Sequence, residues 1–342
     1  MGDTPKSELL IPDRHHQGEL FLCDVADAFI KDDMASMEHP FYSISKKPDK
    51  NIRIYRRGKT IVEIHPSAKG IATIYDKDIL IYCISQMIAK AAKEEIKARR
   101  IKLVANDFLV FTNRNTGGKD YEALRDSLDR LDGTRIRTNV KTGDVEQRDG
   151  FGLIDSYSIK RSDKTGRILE ITVVLSKWVF NAIKANEVLT LHPDYFRLSR
   201  PLERRVYELA RKHCGKQVRW AISFSALHEK TGSKATSHEF RRMLRQLVEG
   251  NHLPDYLVSI HDDNVVFRNR GTMRQGLPEN EGPILHLDTY NEARIVAPGY
   301  DVYALEHEWR VFWHDMGKPH LKNADAAFIG FCRSRYQRQP LG

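Results

Sequence analysis

The stretch KATSHEFRRMLRQL (234–247) predicts a helix with one apolar face and one basic face. Each residue turns a helix by about 100°, so Phe240, Leu244 and Leu247 fall together on one side. The opposite side collects the cationic or potentially cationic residues Lys234, His238, Arg241, Arg242 and Arg245. A helix divided in this way can pack on a core and hold its cations against phosphate, or it can expose a solvated basic face. The rest of the chain decides between these interpretations.

The same pattern occurs a second time, 116 residues earlier in the chain. That offset superimposes apolar positions of the two copies: Phe108 on Phe224, Leu124 on Phe240, Leu128 on Leu244 and Leu131 on Leu247. In both copies a helix and a helix–turn–helix pattern precede hairpin-like runs, within 135–161 and 256–268. We therefore predict an α+β protein, mostly helical, with two tandem winged-helix domains plus a small C-terminal helical module.

Five parts are predicted along the chain. The alternating run IRIYRRGKTIVEIHP (52–66) predicts a β-hairpin, and the Gly, Pro and Asn residues of NRGTMRQGLPENEGP (269–283) indicate a linker. The predicted parts are an N-terminal extension with that hairpin (1–65), a first winged-helix domain (66–190), a second winged-helix domain (191–270), the linker (271–282) and the C-terminal helical module (283–342).

The net charge of +9 over 342 residues favours an anionic partner, either nucleic acid or a membrane surface. The most apolar segment, ILIYCISQMIAKAA (79–92), is too short to span a bilayer, which favours nucleic acid over membrane. The 4 cysteines are far apart and lack metal-ligand spacing, and the first 20 residues have charges where a secretory signal would be apolar. We therefore expect a cytoplasmic protein without a metal site or cofactor.

The outer faces of the two candidate recognition helices differ in charge. Glu122, Arg125, Asp126 and Asp129 of the first copy align with His238, Arg241, Arg242 and Arg245 of the second. Carboxylates repel phosphate, whereas arginine matches phosphate oxygens or a guanine edge. The second copy is therefore predicted to contact DNA through Lys234, Ser237, His238, Arg241, Arg242 and Arg245. The first copy is predicted to use its wing, with Arg135, Arg137 and Lys141, and its acidic helix can instead contact a protein.

Three stretches resemble the replication initiator protein A family of proteobacterial plasmids and phages: KDDMASMEHPFYSISKKPD (31–49), IHPSAKGIATIYDKDILIYCISQMI (64–88) and SRPLERRVYELARKHCG (199–215). The resemblance covers roughly residues 20–270. It implies sequence-specific binding of double-stranded origin DNA, often at short repeats, and recruitment of the host DnaA initiator and the replicative helicase. The active form is then either a monomer or a homodimer.

The C-terminal segment combines aromatic residues with cations. Trp309, Phe312 and Trp313 lie in one helical pattern, and Arg333 and Arg335 lie in the next. Bases stack on aromatic rings while phosphates pair with cations, so this composition suits single-stranded DNA or a helicase contact. The alternative interpretation is that two small helices bury the aromatic residues as their own core.

Two other functions are compatible with parts of this pattern. A rolling-circle initiator that nicks DNA with a tyrosine needs two histidines around one hydrophobic residue, and neither RHHQ (14–17) nor ILHLD (284–288) has that spacing. The run RRGKTIVE (56–63) lacks the first glycine of a phosphate-binding loop, so we do not expect an enzyme. A transcriptional repressor with the same winged helices stays open.

Overall fold

The computed structural model describes residues 10–15, 30–45, 48–58, 60–91, 98–139, 141–142, 145–146, 150–161, 168–185, 187–274, 283, 285, 287–298, 300, 302–317 and 319–339. They form an α+β protein with two compact units. The first unit comprises Met1–Lys212 and Ser225–Pro254, and the second comprises His213–Phe224 and Asp255–Gly342. The five-part division made from the sequence stays a prediction.

The elements before residue 191 are β1 (Lys31–Asp33), α1 (Met34–Glu38), β2 (Arg53–Arg57), β3 (Thr60–His65), α2 (Lys77–Ala91), β4 (Arg100–Leu103), α3 (Ala105–Phe111), α4 (Gly118–Gly133), β5 (Arg135–Thr138), β6 (Lys141–Thr142), β7 (Val145–Glu146), β8 (Phe151–Gly152), β9 (Ile154–Arg161), β10 (Ile168–Leu175), α5 (Lys177–Lys184) and β11 (Val188–Thr190). A short 3-10 helix, Pro193–Arg197, follows.

The later elements are α6 (Pro201–His213), β12 (Arg219–Ser223), α7 (Phe224–Thr231), α8 (Ser237–Gly250), β13 (Tyr256–His261), β14 (Asn264–Asn269), α9 (Arg270–Arg274), α10 (Leu287–Val296), α11 (Val302–Asp315) and α12 (Ala324–Arg338). The first residues of the predicted linker therefore lie in α9, and 275–282 lie outside the described residues.

One order of elements occurs twice along the chain. A helix, a strand, two helices and a β-hairpin occur in this order as α2, β4, α3, α4, β9 and β10, with β5 to β8 inserted before the hairpin. They occur again, without an insertion, as α6, β12, α7, α8, β13 and β14. The strands are arranged in the same way, because the sheet orders are β4-β10-β9 and β12-β14-β13. In each sheet the strand that precedes the two helices pairs with the last strand of the hairpin.

The predicted N-terminal hairpin is present and is part of a larger sheet. Strands β2 and β3 pair antiparallel, with Arg53 opposite Ile64 and Arg57 opposite Thr60. Strand β3 also pairs with β5, which pairs in turn with β8, so the sheet order is β2-β3-β5-β8. The alternation of this sheet buries Val62, Ile64 and Ile136 on one face.

The two predicted recognition helices form and bury the predicted residues. Leu124, Leu128 and Leu131 of α4 are buried, and so are Phe240, Leu244 and Leu247 of α8. Thr236 caps α8, because its side-chain oxygen accepts a hydrogen bond from the backbone N–H of Glu239 at 3.2 Å. The helix ends at Asn251, which takes the left-handed conformation with φ of 47°.

A group of buried charges joins three segments of the first unit. Lys77 Nζ lies 2.5 Å from Asp32 Oδ2 and 3.0 Å from Glu208 Oε1, and all three side chains are almost inaccessible to solvent. Burial acts to lower the pKa of Lys77, but the carboxylates of Asp32 and Glu208 outweigh it, so the pKa is raised. Because buried charges are tolerated only when paired, β1, α2 and α6 are held in one arrangement.

Two adjacent arginines of α6 extend this network. Arg204 Nη1 donates to Asp78 Oδ1 at 2.7 Å. Arg205 is also buried, and its guanidinium donates to the carbonyl oxygens of Ser36, Met37, Glu38 and Lys230 at 2.8–3.2 Å. Helix α6 therefore contacts its neighbours through buried charged side chains, and its contact surface is not purely apolar.

The C-terminal helices of the second unit have a core of their own. Helices α10, α11 and α12 bury Leu285, Tyr290, Ala293, Ala297, Val302, Leu305, Trp309, Phe328 and Cys332 in one cluster. Glu306 is buried within α11, where Tyr290 Oη donates to its Oε2 at 2.9 Å and Arg310 Nε donates to its Oε1 at 2.7 Å.

We predict that Lys77→Met lowers the free energy of unfolding by about 3–5 kcal/mol, because it leaves two carboxylates buried without their shared cation. Urea unfolding followed by circular dichroism measures the change. The control is Lys160→Met, which removes a surface lysine whose side chain is 69% exposed and should leave the urea midpoint nearly unchanged. Equal midpoints for Lys77→Met and the wild type would contradict a structural role for the buried ion group.

Candidate nucleic-acid interface

Helix α8 displays most of the predicted DNA-contacting side chains on one surface. Ser237, His238, Arg242 and Arg245 are exposed, whereas Arg241 is half-buried. Arg242 Nη2 lies 3.6 Å from Glu239 Oε1, and both side chains are more than half exposed. A surface pair of this kind is weak and can be exchanged for a phosphate. The structure therefore brings these residues together, and their role in DNA binding stays a prediction.

The base of α8 is fixed by stacking within the first unit. The His228 ring at the end of α7 lies against the Phe240 ring, with centroids 4.2 Å apart and planes 16° from parallel. The stack of half-buried His228 on fully buried Phe240 helps to fix the angle at which α8 leaves the turn after α7, so the exposed cations project from an anchored helix.

Lys234 lies in that turn and has a partner that the sequence did not reveal. Its Nζ donates to Asp49 Oδ2 at 2.7 Å, and the same carboxylate accepts from Arg53 Nε at 2.6 Å. Burial acts to raise the pKa of Asp49, but hydrogen bonds from Lys234, the Asn51 backbone and Arg53 hold it well below its usual range. The run KKPDKN (46–51), which contains Asp49, is typical of a loop. No local sequence pattern could predict that this loop contacts the turn before α8.

The loop around Asp49 rests on a second turn, residues 67–70. The backbone oxygen of Asp49 accepts from Ile71 N at 2.8 Å. Gly70 has φ of +96°, and a Cβ there would lie 3.0 Å from Pro48 Cβ, so this close approach requires glycine. Gly133, at the end of α4, is similarly close, because an added Cβ would lie 2.4 Å from Ser67 Cβ.

The acidic face of α4 is partly paired within the first unit. Lys69 Nζ donates to Asp126 Oδ1 at 2.7 Å and to Asp129 Oδ2 at 2.5 Å. Tyr157 Oη also donates to Asp129. Burial acts to raise the pKa of Asp129, but these hydrogen bonds lower it below its ordinary value. The carboxylates that oppose DNA contact therefore help to hold α4 against the turn 67–70, and a protein contact by this helix stays a prediction.

A cavity of about 650 Å³ lies beside α8. Its apolar lining includes Ile44, Leu202 and Met243, and cations border it at Arg200, Lys234 and Arg242. Arg200 Nη1 lies 3.4 Å from Gln246 Oε1 of α8. The first turn of α6 and the side of α8 thus form one concave, cation-edged surface.

Arg135 and Arg137 are exposed, but their position differs from the predicted wing. They lie on β5, between β3 of the N-terminal hairpin and β8, whereas the hairpin that matches β13–β14 is β9–β10. The local sequence pattern predicts a strand at this position. Which sheet the strand joins depends on its long-range pairing with β3. Lys141 lies in β6, which pairs with β7, and its side chain lies outside the described residues.

The C-terminal aromatic residues divide between core and surface. Trp309 is 3% exposed and packs on Phe328, with ring centroids 5.4 Å apart. Phe312 is 53% exposed, and Trp313 is half-buried with its Nε1 donating to Pro319 O at 2.9 Å. Arg333 is exposed, and Arg335 Nε donates to Glu308 Oε2 at 3.1 Å. The burial of Trp309 agrees with the interpretation that these helices form their own core. Phe312, in contrast, exposes aromatic surface to solvent.

The described residues contain no helix that is both long and apolar enough to cross a membrane. In the same part of the chain, no cluster of at least three His, Cys, Asp or Glu residues could hold a metal ion.

Comparisons with known proteins agree on one family. The family model described as replication initiator protein A matches residues 31–258. A protein of Wigglesworthia glossinidia brevipalpis named "Putative replication protein" is 40% identical over 259 residues, covering 74% of this chain and 94% of that protein.

One solved structure shows a related fold at low identity. The crystal structure of SeMet derivatives of domains 2 and 3 of RctB has a TM-score of 0.50 and 14% identity, covering 68% of this chain and 94% of that chain. A second structure of RctB domains 2–3 covers 68% of this chain and 96% of that chain, with a TM-score of 0.47 and 16% identity. The similarity to the first of these structures is a similarity of fold and shows nothing about function. The family match and the close relative show that the chain belongs to the replication initiator protein A family.

Proposed function

We propose that this chain binds specific sequences in double-stranded DNA at a plasmid or phage origin, commonly as repeats, and thereby initiates replication. Family membership supports the initiator role. The observation that carries the DNA-binding proposal is α8, a rigid helix that exposes Ser237, His238, Arg242 and Arg245 while burying its apolar face. A helix of this kind fits the major groove, where arginine can pair with the guanine edge.

We also propose that the two repeated sets of elements are winged helices. The support is their shared order of helix, strand, two helices and hairpin, together with their shared sheet order. In this interpretation α4 and α8 occupy equivalent positions, but where α4 carries Asp126 and Asp129, α8 carries Arg242 and Arg245. Lys69 and Tyr157 bind the aspartates of α4, which favours a structural or protein-binding role for that helix.

A role in opening the origin or loading the helicase is proposed for the C-terminal helices. Phe312 exposes about half of its ring surface, and its ring lies 6.0 Å from that of Phe331 between centroids. The exposed Phe312 ring, which packs on half-buried Phe331, can stack on an unpaired base or insert into a partner protein. The bound initiator would act by recruiting host replication proteins, including the DnaA initiator and the replicative helicase, rather than by catalysis.

We expect α8 to dominate specific binding. The DNA sequence that the full chain prefers is identified first, by binding-site selection. Arg245→Ala should then weaken binding by about 1–3 kcal/mol if the side chain contacts a base edge. The matched control is Arg125→Ala, at the exposed face of α4, which should weaken it less. Equal losses from the two substitutions at one salt concentration would exclude the asymmetry between the helices.

We expect Phe312→Ala to reduce replication of an origin plasmid while leaving duplex binding unchanged, because the ring lies on the surface of the C-terminal helices. Plasmid copy number and a duplex-binding titration measure the two effects. Ile295→Ala serves as the control, since Ile295 is 79% exposed in the same group of helices. If both variants keep a normal copy number, Phe312 has no role after DNA binding.

The proposal of a non-enzymatic initiator predicts that purified protein leaves no covalent tyrosine–DNA adduct when it is incubated with origin DNA and Mg²⁺. Denaturing gels with end-labelled DNA detect such an adduct, and a rolling-circle initiator supplies the positive control. An adduct formed by this chain would identify it as a nicking enzyme.

A further inference from the structure

The sheet β2-β3-β5-β8 has a solvent-facing side with an unusual composition. One face of these strands is buried, and the opposite face carries Ile54, Arg56, Glu63, His65, Arg135 and Arg137, here called the outer sheet face. We propose that the outer sheet face binds the phosphate backbone of the DNA that flanks the site contacted by α8. This inference rests on the proposed function.

The strand register places the cations on one side in a regular pattern. Glu63 is opposite Arg137 and His65 is opposite Arg135, so both arginines lie on the same face of β5. Two residues along a strand span about 7 Å, which is close to the spacing of successive phosphates along one DNA strand. Arg56 lies two strands away, opposite Ile61 of β3. The face therefore presents cations along and across the sheet.

Among the described residues, neither Arg56 nor Arg137 has a carboxylate within ion-pair distance. Glu63 lies on the same face, but its Oε2 is 3.6 Å from His65 Nε2. Arg135 Nη2 donates to Gly150 O at 3.1 Å, which orients its guanidinium and leaves the side chain exposed. An unpaired arginine gains most from a phosphate partner.

The edge strand of this sheet, β2, adjoins the turn that leads into α8, through Tyr55 on the face opposite Arg56. Tyr55 Oη donates to Gly232 O at 3.5 Å, and Gly232 has φ of +69°. A cavity of about 270 Å³ is lined by Ile54 and Arg56 on one side and by Glu229 and Lys230 on the other. These residues belong to the first unit, so Arg56 lies beside the turn that positions the recognition helix. DNA held by α8 would continue past this turn.

A second copy of the chain fits this face less well. Ile52 and Ile54 are 56% and 52% exposed, which gives β2 an apolar edge that another strand could cover. A two-fold contact, however, brings the same patch of both copies together. Arginine would then face arginine across the contact, which is destabilising. The negative charge of the DNA backbone matches the arginines, and the isoleucines can lie against sugars.

The test compares Arg56→Ala/Arg137→Ala with a matched control, Lys177→Ala/Lys184→Ala, which removes two exposed cations from α5. Binding of the full chain to its selected site is titrated over a salt series. Two duplexes are used, one with a helical turn of flanking DNA on each side and one trimmed to the bases of the site. Each lost phosphate contact reduces the slope of log K against log salt by about 0.9, so the double variant should lose about 2.

The expected result is a reduced salt slope for Arg56→Ala/Arg137→Ala on the flanked duplex, no difference from wild type on the trimmed duplex and an unchanged preference for the site. The control variant should behave as wild type on both duplexes. Wild-type slopes for the double variant on both duplexes would overturn the inference while leaving the proposed function intact. Altered self-association in sedimentation, with unchanged DNA slopes, would assign the face to a second copy instead.

The proposed function can fail separately. If wild type prefers no sequence, specific DNA binding by α8 is wrong. The salt series on random flanked duplex then still measures the phosphate contacts of the outer sheet face. A reduced slope for Arg56→Ala/Arg137→Ala supports those contacts, and an unchanged slope removes them.

Discussion

The buried ion group of Lys77, Asp32 and Glu208 lies where β1, α2 and α6 meet. A cation without solvent needs carboxylates at short distance, and each carboxylate needs its cation, so no segment can shift alone. Helix α2 begins the first repeat of elements and α6 begins the second, so this group sets the relation between the two repeats inside the first unit. Each of the three stretches that resemble the initiator family supplies one of these charges.

Contacts in the first unit connect both candidate recognition helices through the N-terminal part of the chain. Lys69 links the turn 67–70 to Asp126 and Asp129 of α4, and that turn supports the loop that contains Asp49. Asp49 in turn holds Lys234 before α8. The N-terminal hairpin and its neighbouring loops therefore act as the frame on which α8 is oriented. Their function is positional, in addition to any contact with DNA.

Local sequence patterns predicted the main helices and the hairpins β2–β3 and β13–β14. The prediction that places the hairpin of the first repeat within 135–161 was wrong, because β5 pairs with β3 and β8 and the hairpin of the first repeat is β9–β10. The burial of Phe240, Leu244 and Leu247 is confirmed because helical periodicity depends only on neighbouring residues. The pairing of β5 with β3 could not be foreseen, since the partner of a strand depends on distant chain. The contact between Lys234 and Asp49 could not be predicted either, because the two residues are far apart in sequence. For the same reason, the sequence alone could not decide whether Trp309 is buried or exposed.

The first unit is discontinuous in sequence, with Ser225–Pro254 returning to it after an excursion into the second unit. During synthesis, the chain up to Lys212 emerges before α7 and α8 are available to complete that unit. Arg205 would by then lack the Lys230 carbonyl that it contacts in the finished protein. A ribosome that stalls before residue 254 would therefore release an incomplete first unit rather than a functional half. The chain has to be translated well past its midpoint before α7 and α8 can complete the first unit.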